Sequence, residues 1–471
     1  MFKRYLIICI FLVFAFGCAD NRYRSEKLFF KAQKQASAIL KKGPKNLTPG
    51  DYRRLINIYQ KVADACPLED LGAESQFIIA DLYILQNDLK ASQRQLSQVA
   101  NNFFSKPQIA SRAMYMAGQI YESQDKWEKA FDVYEDLIKR FSVTKIGLSL
   151  PLYIVGHWQK INDFQSKDKA CRWAAGHYEK VIEEFSDTDT EPLVQNYLAF
   201  LYVMKGDYSR AQSVWDEIIS EYPRHPQAQE AMLLKAETYR NHLKDTVSAI
   251  AAYKDFLKRY PGFAREFELK TTLGFLYLEA GKNNEARELF QNIIDSKPKD
   301  DKDMAAALTG LSQYYRKEAN TAKVLGIYEK IRKLYPGSKT ALKIPYLTAQ
   351  YYDELEFHSK ADNAFKEAIS YYEMIIAGKE VNDEKIQEVS DLLALCYIKK
   401  KESDQALKLL RQLADKYPDK PEYLLDMAGV YNNLNARSKA IDVYKELIVR
   451  HPEDGFLVDL AESKIKNLEK E

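Results

Sequence analysis

Apolar residues recur along the chain at three- and four-residue spacing, in runs separated by short polar turns, with no strand-like alternation. The stretch from Leu273 to Pro298 is the clearest unit. Leu273, Gly274 and Tyr277 mark one run. Gly281, Lys282, Asn283 and Asn284 make a polar turn. Ala286, Phe290 and Ile293 mark a second run, which Pro298 stops. The spacing predicts two antiparallel helices. Gly274 and Ala286 are small where the helices cross, and Tyr277 and Phe290 fill the space beside the crossing. One such pair cannot bury its apolar faces alone, so further pairs must stack on it.

Those pairs are legible on both sides. Residues 25–42 form a helix with Leu28, Phe29, Ala32, Ala36, Ile39 and Leu40 inward, ended by Gly43-Pro44. Asp51 to Cys66 form the next helix. Further pairs are marked by Ala80/Tyr83, Gly118/Tyr121, Ala199/Tyr202, Ala236/Tyr239, Ser312/Tyr315, Ala349/Tyr352, Ala394/Tyr397 and Ala428/Tyr431. The pair around Gly156 is irregular, because Ala174, Tyr178 and Val181 come too late, and Ile161 to Lys169 is expected to be an enlarged loop. The sixth pair has one extra residue in its turn. The second helix of the ninth runs on to Ile376, and Gly378 to Lys385 is a charged insertion. A last helix, Phe456 to Leu468, is expected to turn Phe456, Leu457, Leu460, Ile465 and Leu468 inward and close the stack.

This pattern resembles the tetratricopeptide repeat, over nearly the whole chain and in about eleven copies. The resemblance implies an all-α right-handed superhelix, an α-solenoid. Pro223, Pro261, Pro298 and Pro336 are 38, 37 and 38 residues apart, where the ordinary repeat has about 34. Long repeats ending in Tyr222-Pro223, Tyr260-Pro261 and Tyr335-Pro336 resemble those of periplasmic tetratricopeptide proteins. Two such families are the lipoprotein of the outer-membrane β-barrel assembly machinery and the periplasmic coordinator of cell-wall synthesis and outer-membrane constriction. The expected organisation is residues 25–67 as an N-terminal cap or divergent repeat, 68–376 as the long-repeat array, 377–386 as the insertion, 387–452 as two C-terminal repeats and 453–471 as a capping helix.

The N-terminus changes the picture. Lys3 and Arg4 precede an apolar run from Tyr5 to Phe16, too short to span a bilayer well. Ala15-Phe16-Gly17-Cys18 then resembles the bacterial lipoprotein box. The resemblance implies a signal peptide over 1–17, lipid on Cys18, a tether over 18–24, and a location on the periplasmic side of the envelope. In the sorting rule of the lipoproteins it resembles, aspartate directly after the cysteine retains the protein in the inner membrane, so Ala19 in that place implies the outer membrane. Acyl chains of this kind anchor a protein stably.

Lys plus Arg number 69 and Asp plus Glu 67, a net charge of +2 that argues against nucleic acid as partner. Cys66, Cys171 and Cys396 have no metal or redox spacing and read as buried core residues. No phosphate loop or nucleophile elbow is present, and the six histidines form no metal-binding pair. No catalytic residue, metal, cofactor or small-molecule substrate is expected. His157-Trp158 beside the irregular pair is the one unusual cluster and is read as local packing.

Binding of protein partners is the expected use. First helices would line a groove through Asn196, Phe200, Val203 and Met204, then Leu233, Glu237 and Arg240, then Thr271, Phe275, Leu278 and Glu279. The expected role is a non-enzymatic, lipid-anchored scaffold in envelope biogenesis, with outer-membrane protein assembly first. Exopolysaccharide or pilus export and regulation of cell-wall enzymes are the alternatives.

Overall fold

A computed structural model describes residues 23–43, 46–298, 300–378, 382–452 and 454–470. The described residues are helices and the short turns between them, and no strand occurs among them. The expected signal segment and Cys18 lie outside these residues.

The chain divides into two compact units, Met1–Ala231 and Met232–Glu471. In the first, α1 (23–40) packs with α2 (Pro49–Ala65). Four pairs follow: α3 (Asp70–Leu85) with α4 (Leu89–Asn102), α5 (Pro107–Glu122) with α6 (Trp127–Arg140), α7 (Lys145–Lys160) with α8 (Phe164–Glu184), and α9 (Glu191–Lys205) with α10 (Tyr208–Glu221). α11 (Pro226–Thr238) carries the division. The second unit holds α12 (Thr246–Arg259), α13 (Glu266–Glu279), α14 (Asn283–Asp295), α15 (Asp301–Lys317), α16 (Thr321–Leu334), α17 (Lys339–Glu354), α18 (His358–Ala377), α19 (Asp383–Lys399), α20 (Ser403–Lys416), α21 (Glu422–Asn433), α22 (Arg437–Arg450) and α23 (Gly455–Lys470). Each unit is an α-solenoid, in which successive helices pack on their sequence neighbours.

One backbone device repeats in the turns inside the pairs. The last aromatic of the first helix accepts a hydrogen bond from the residue that opens the second. Asp88 donates to the Tyr83 carbonyl at 2.9 Å, Lys282 to Tyr277 at 2.8 Å and Ala436 to Tyr431 at 2.9 Å. The residue just before the donor sits at positive φ, as at Asn87, Gly281 and Asn435. This is the six-residue closure that satisfies helix-end carbonyls. The extra residue of the sixth pair is absorbed by a π-turn over Tyr239–Leu243 before Lys244, also at positive φ.

The irregular pair corrects an expectation. Residues 161–169 are not an enlarged loop. Asn162 at φ 58° closes an ordinary turn, with Asp163 donating to the Trp158 carbonyl at 3.0 Å. The surplus lies in α8, which has 21 residues against 14 in α6. Seven residues are about two turns of helix, so the buried face is preserved. Other corrections are smaller. Leu40 and Phe456 are exposed, and Ala461 is the fully buried residue of α23. α19 begins at Asp383, inside the expected insertion.

The two units share a larger pattern. α6 and α7 match α16 and α17 end for end, 194 positions on. Pro345 lies 194 positions after Pro151, each inside its helix, and Tyr372 lies 194 after Tyr178. Thr144 and Ser338 cap α7 and α17 in the same way.

Candidate protein-binding pocket

The second helices α6 and α8, with the end of α7, enclose an open pocket of about 480 Å³ in the first unit. From α6 come Trp127, Glu128, Phe131 and Asp132, which share a face because they recur at three- and four-residue spacing. Trp158 contributes from the last turn of α7. Ser166, Lys169, Ala170 and Trp173 form the α8 wall. Three of the four tryptophans of the chain meet here. The fourth, Trp215, is buried in α10.

The rings are held from behind. Trp127 stacks on His157 with centroids 3.3 Å apart and planes 3° apart, and meets Trp158 edge-on at 5.8 Å. Phe131 lies 5.8 Å from Trp173, which stacks at 6.4 Å on His177. Beneath Trp127, the Tyr134 and Tyr153 hydroxyls donate to the two oxygens of Glu122 at 2.5 and 2.7 Å. Burial, reinforced by the Glu122 charge, pushes both phenols above the usual range. Burial lowers His157 and His177 below the ordinary histidine value. His157-Trp158 is therefore packing, as expected, and it is packing that shapes a pocket.

The rim is charged. Glu128 and Asp132 lie four residues apart on α6, and no cation pairs with either among the described residues. The next carboxylates of the helix, Glu135 and Asp136, pair with Lys139 and Arg140. Like charges at this spacing cost a helix about 0.2–0.5 kcal/mol. The architecture does not demand these residues. In the corresponding helices of the second unit, the positions 194 further on hold Thr321, Ala322, Leu325 and Gly326 in α16, Tyr352 in α17 and Glu367 in α18. Trp158 stands out in the sequence but the pocket does not, because Trp127 and Trp173 lie on second helices, away from the first helices expected to line a groove.

The residues expected to line a groove are placed differently. Asn196 is buried. It accepts from the Trp215 indole N–H at 2.9 Å and donates to Gln227 at 2.8 Å. Thr271 and Leu278 are buried too, the latter in the core beside Phe290 and Leu311. These three are corrections, since none offers a surface. Phe200, Val203 and Met204 are half-buried on α9 of the first unit. Leu233, Glu237 and Arg240 are half-buried in the second, where Phe275 packs on Phe290 at 5.3 Å. Glu279 is exposed and accepts from the Thr246 hydroxyl at 3.1 Å. Cys66, Cys171 and Cys396 are buried, and burial pushes the Cys396 thiol up to about 12. No group of His, Cys, Asp or Glu able to hold a metal occurs among the described residues.

The tetratricopeptide repeat family model matches residues 112–142, 197–225, 230–262 and 388–420. The chain carries tetratricopeptide repeats. The matched segments fall on the third, fifth, sixth and tenth helix pairs. Tetratricopeptide repeat protein 21B of Homo sapiens is 23% identical over 409 residues, 76% of this chain and 29% of that protein. The Mus musculus protein of the same name is 24% identical over 309 residues, 61% of this chain and 22% of its own. The chain thus spans less than a third of the length of these curated relatives. Among solved structures, yeast Tom70 aligns over 92% of this chain and 96% of its own, with 13% identity and a TM-score of 0.42. A tetratricopeptide repeat protein from Parabacteroides merdae aligns over 62% and 98%, with 15% identity and a TM-score of 0.36. Arrays of this kind are suited to binding other proteins.

Proposed function

We propose that the protein is a non-enzymatic scaffold that binds protein partners and is held by lipid on Cys18 at the periplasmic side of a bacterial envelope. Its process is envelope biogenesis, with outer-membrane protein assembly the leading case. The observation that carries the binding role is the open pocket between α6 and α8, lined by three half-buried tryptophans in a fold that does not require them. Aromatic residues in such pockets dominate the energetics of protein interfaces. The anchor rests on the run Ala15-Phe16-Gly17-Cys18 behind a short basic and apolar segment.

The test is co-purification of the full chain from detergent-solubilised membranes of its own organism, beside a Cys18→Ser form. The scaffold reading expects an envelope protein in stoichiometric amount with the wild type. It also expects the wild type, and not the Cys18→Ser form, to incorporate labelled fatty acid. Recovery of no envelope partner would sink the scaffold, and a wild type without fatty acid would sink the anchor.

A further inference from the structure

We infer that the α6–α8 pocket receives a cationic amphipathic helix, which buries large apolar side chains against Trp127, Phe131 and Trp173 and sets a Lys or Arg beside Glu128 and Asp132. This inference rests on the scaffold reading and names the chemistry of the partner.

Three observations select that occupant. The first is shape. The pocket lies between two second helices, and a helix laid into such a groove reaches it with side chains one turn apart. The second is polarity. Three indoles, Phe131 and Ala170 make most of the wall, and Ser166 is its only hydroxyl. Large aliphatic and aromatic side chains bury their whole surface against such rings. The third is charge. Two carboxylates without a cation stand on the α6 rim, against Lys169 alone on the α8 wall. A basic residue relieves the repulsion between Glu128 and Asp132, and indole faces favour a cation nearby.

The experiment uses the chain from Ala19 onward, which contains every described residue, so no detergent competes for the probe. Two fluorescein-labelled helical peptides of about 18 residues, roughly 27 Å long, are compared by anisotropy. One is built from Leu, Phe and Lys, and the other has Glu for every Lys. The Lys peptide is expected to bind and to change the tryptophan emission. The Glu peptide is expected to bind about tenfold or more weakly. Glu128→Lys/Asp132→Lys, on an exposed rim, is expected to reverse the preference. Ser166→Trp, which fills the pocket, is expected to abolish binding of both, with circular dichroism unchanged.

Equal binding of the two peptides, or binding untouched by Ser166→Trp, overturns the inference. Self-association that Ser166→Trp removes would give the face to a second copy and overturn it as well. Tetramethylammonium displacing the Lys peptide at matched ionic strength would assign a small cation instead. The two readings fail separately. An envelope partner still captured by the Glu128→Lys/Asp132→Lys form leaves the scaffold standing and removes the pocket from it.

Discussion

The Tyr372 hydroxyl donates to the Leu342 carbonyl at 2.8 Å and accepts from the Tyr346 amide at 3.2 Å. Leu342 and Tyr346 are four residues apart in α17 and would ordinarily bond to each other. Pro345, between them, disturbs the ladder, and the phenol is inserted into the gap. Tyr178 does the same in the first unit. It donates to the Leu148 carbonyl at 2.6 Å and accepts from the Leu152 amide beside Pro151. Both phenols are fully buried. Tyr372→Phe therefore leaves a carbonyl and an amide without a partner, at about 1–3 kcal/mol for each orphaned group. Urea denaturation should show Tyr372→Phe and Tyr178→Phe each destabilised with little change in slope. A loss below about 0.5 kcal/mol, within the noise of surface substitutions, would mean that the hydroxyl does not bridge the ladder.

The pairing of helices was legible because Tyr277, Phe290 and their counterparts repeat in register, and local pattern decides local structure. The proline–tyrosine bridge was not. Pro151 and Tyr178 are 27 residues apart, so only the fold brings them together. The long α8 was misread because a seven-residue surplus keeps the same face buried, so no apolar position falls out of phase to betray it. Groove residues were misplaced for a related reason. Periodicity shows that Asn196, Thr271 and Leu278 lie on first helices, but neighbouring pairs decide which first-helix side chains they cover. The pocket needed three helices at once, and of its aromatic residues only Trp158 stood out in the sequence, where it read as packing.

Phe290 is pressed between two glycines. A Cβ on Gly310 would stand 2.2 Å from its ring and one on Gly274 2.6 Å from it. The ring is fully buried, so it has nowhere to retreat. Gly310→Ala is expected to cost about 1–3 kcal/mol through overpacking. Phe290→Leu in the same chain should recover part of that loss, because it removes the ring that the new methyl meets. A double variant no more stable than the sum of the two single losses would show that this contact is not what makes the position glycine.

Asn196 separates packing from binding. Its side-chain oxygen satisfies the buried Trp215 indole, and its amide nitrogen reaches Gln227. Asn196→Ala orphans the indole N–H, which costs about 1–3 kcal/mol. The variant should lose thermal stability and keep its affinity for any partner, measured well below its melting temperature. Weakened binding with unchanged stability would return Asn196 to a recognition surface.

The histidines behind the pocket make its stability depend on pH. Burial lowers both His157 and His177 in the folded state. Lys160 pushes His157 the same way, and Lys180 does so for His177, while Glu122 opposes the shift at His157. The unfolded chain titrates near the ordinary histidine value, about 6.5. Between the folded and unfolded values the unfolded state binds more protons, so stability rises with pH. The contribution is present above about pH 6.5 and is lost as pH falls through the folded values. The urea midpoint should therefore drop between pH 7.5 and 5.5. Protonation also places a cation against the Trp127 ring, so quenching of tryptophan emission should accompany the drop. His157→Gln/His177→Gln should flatten this part of the profile while leaving acid unfolding by the carboxylates in place. A double variant with the wild-type slope over that range would show that other groups carry it.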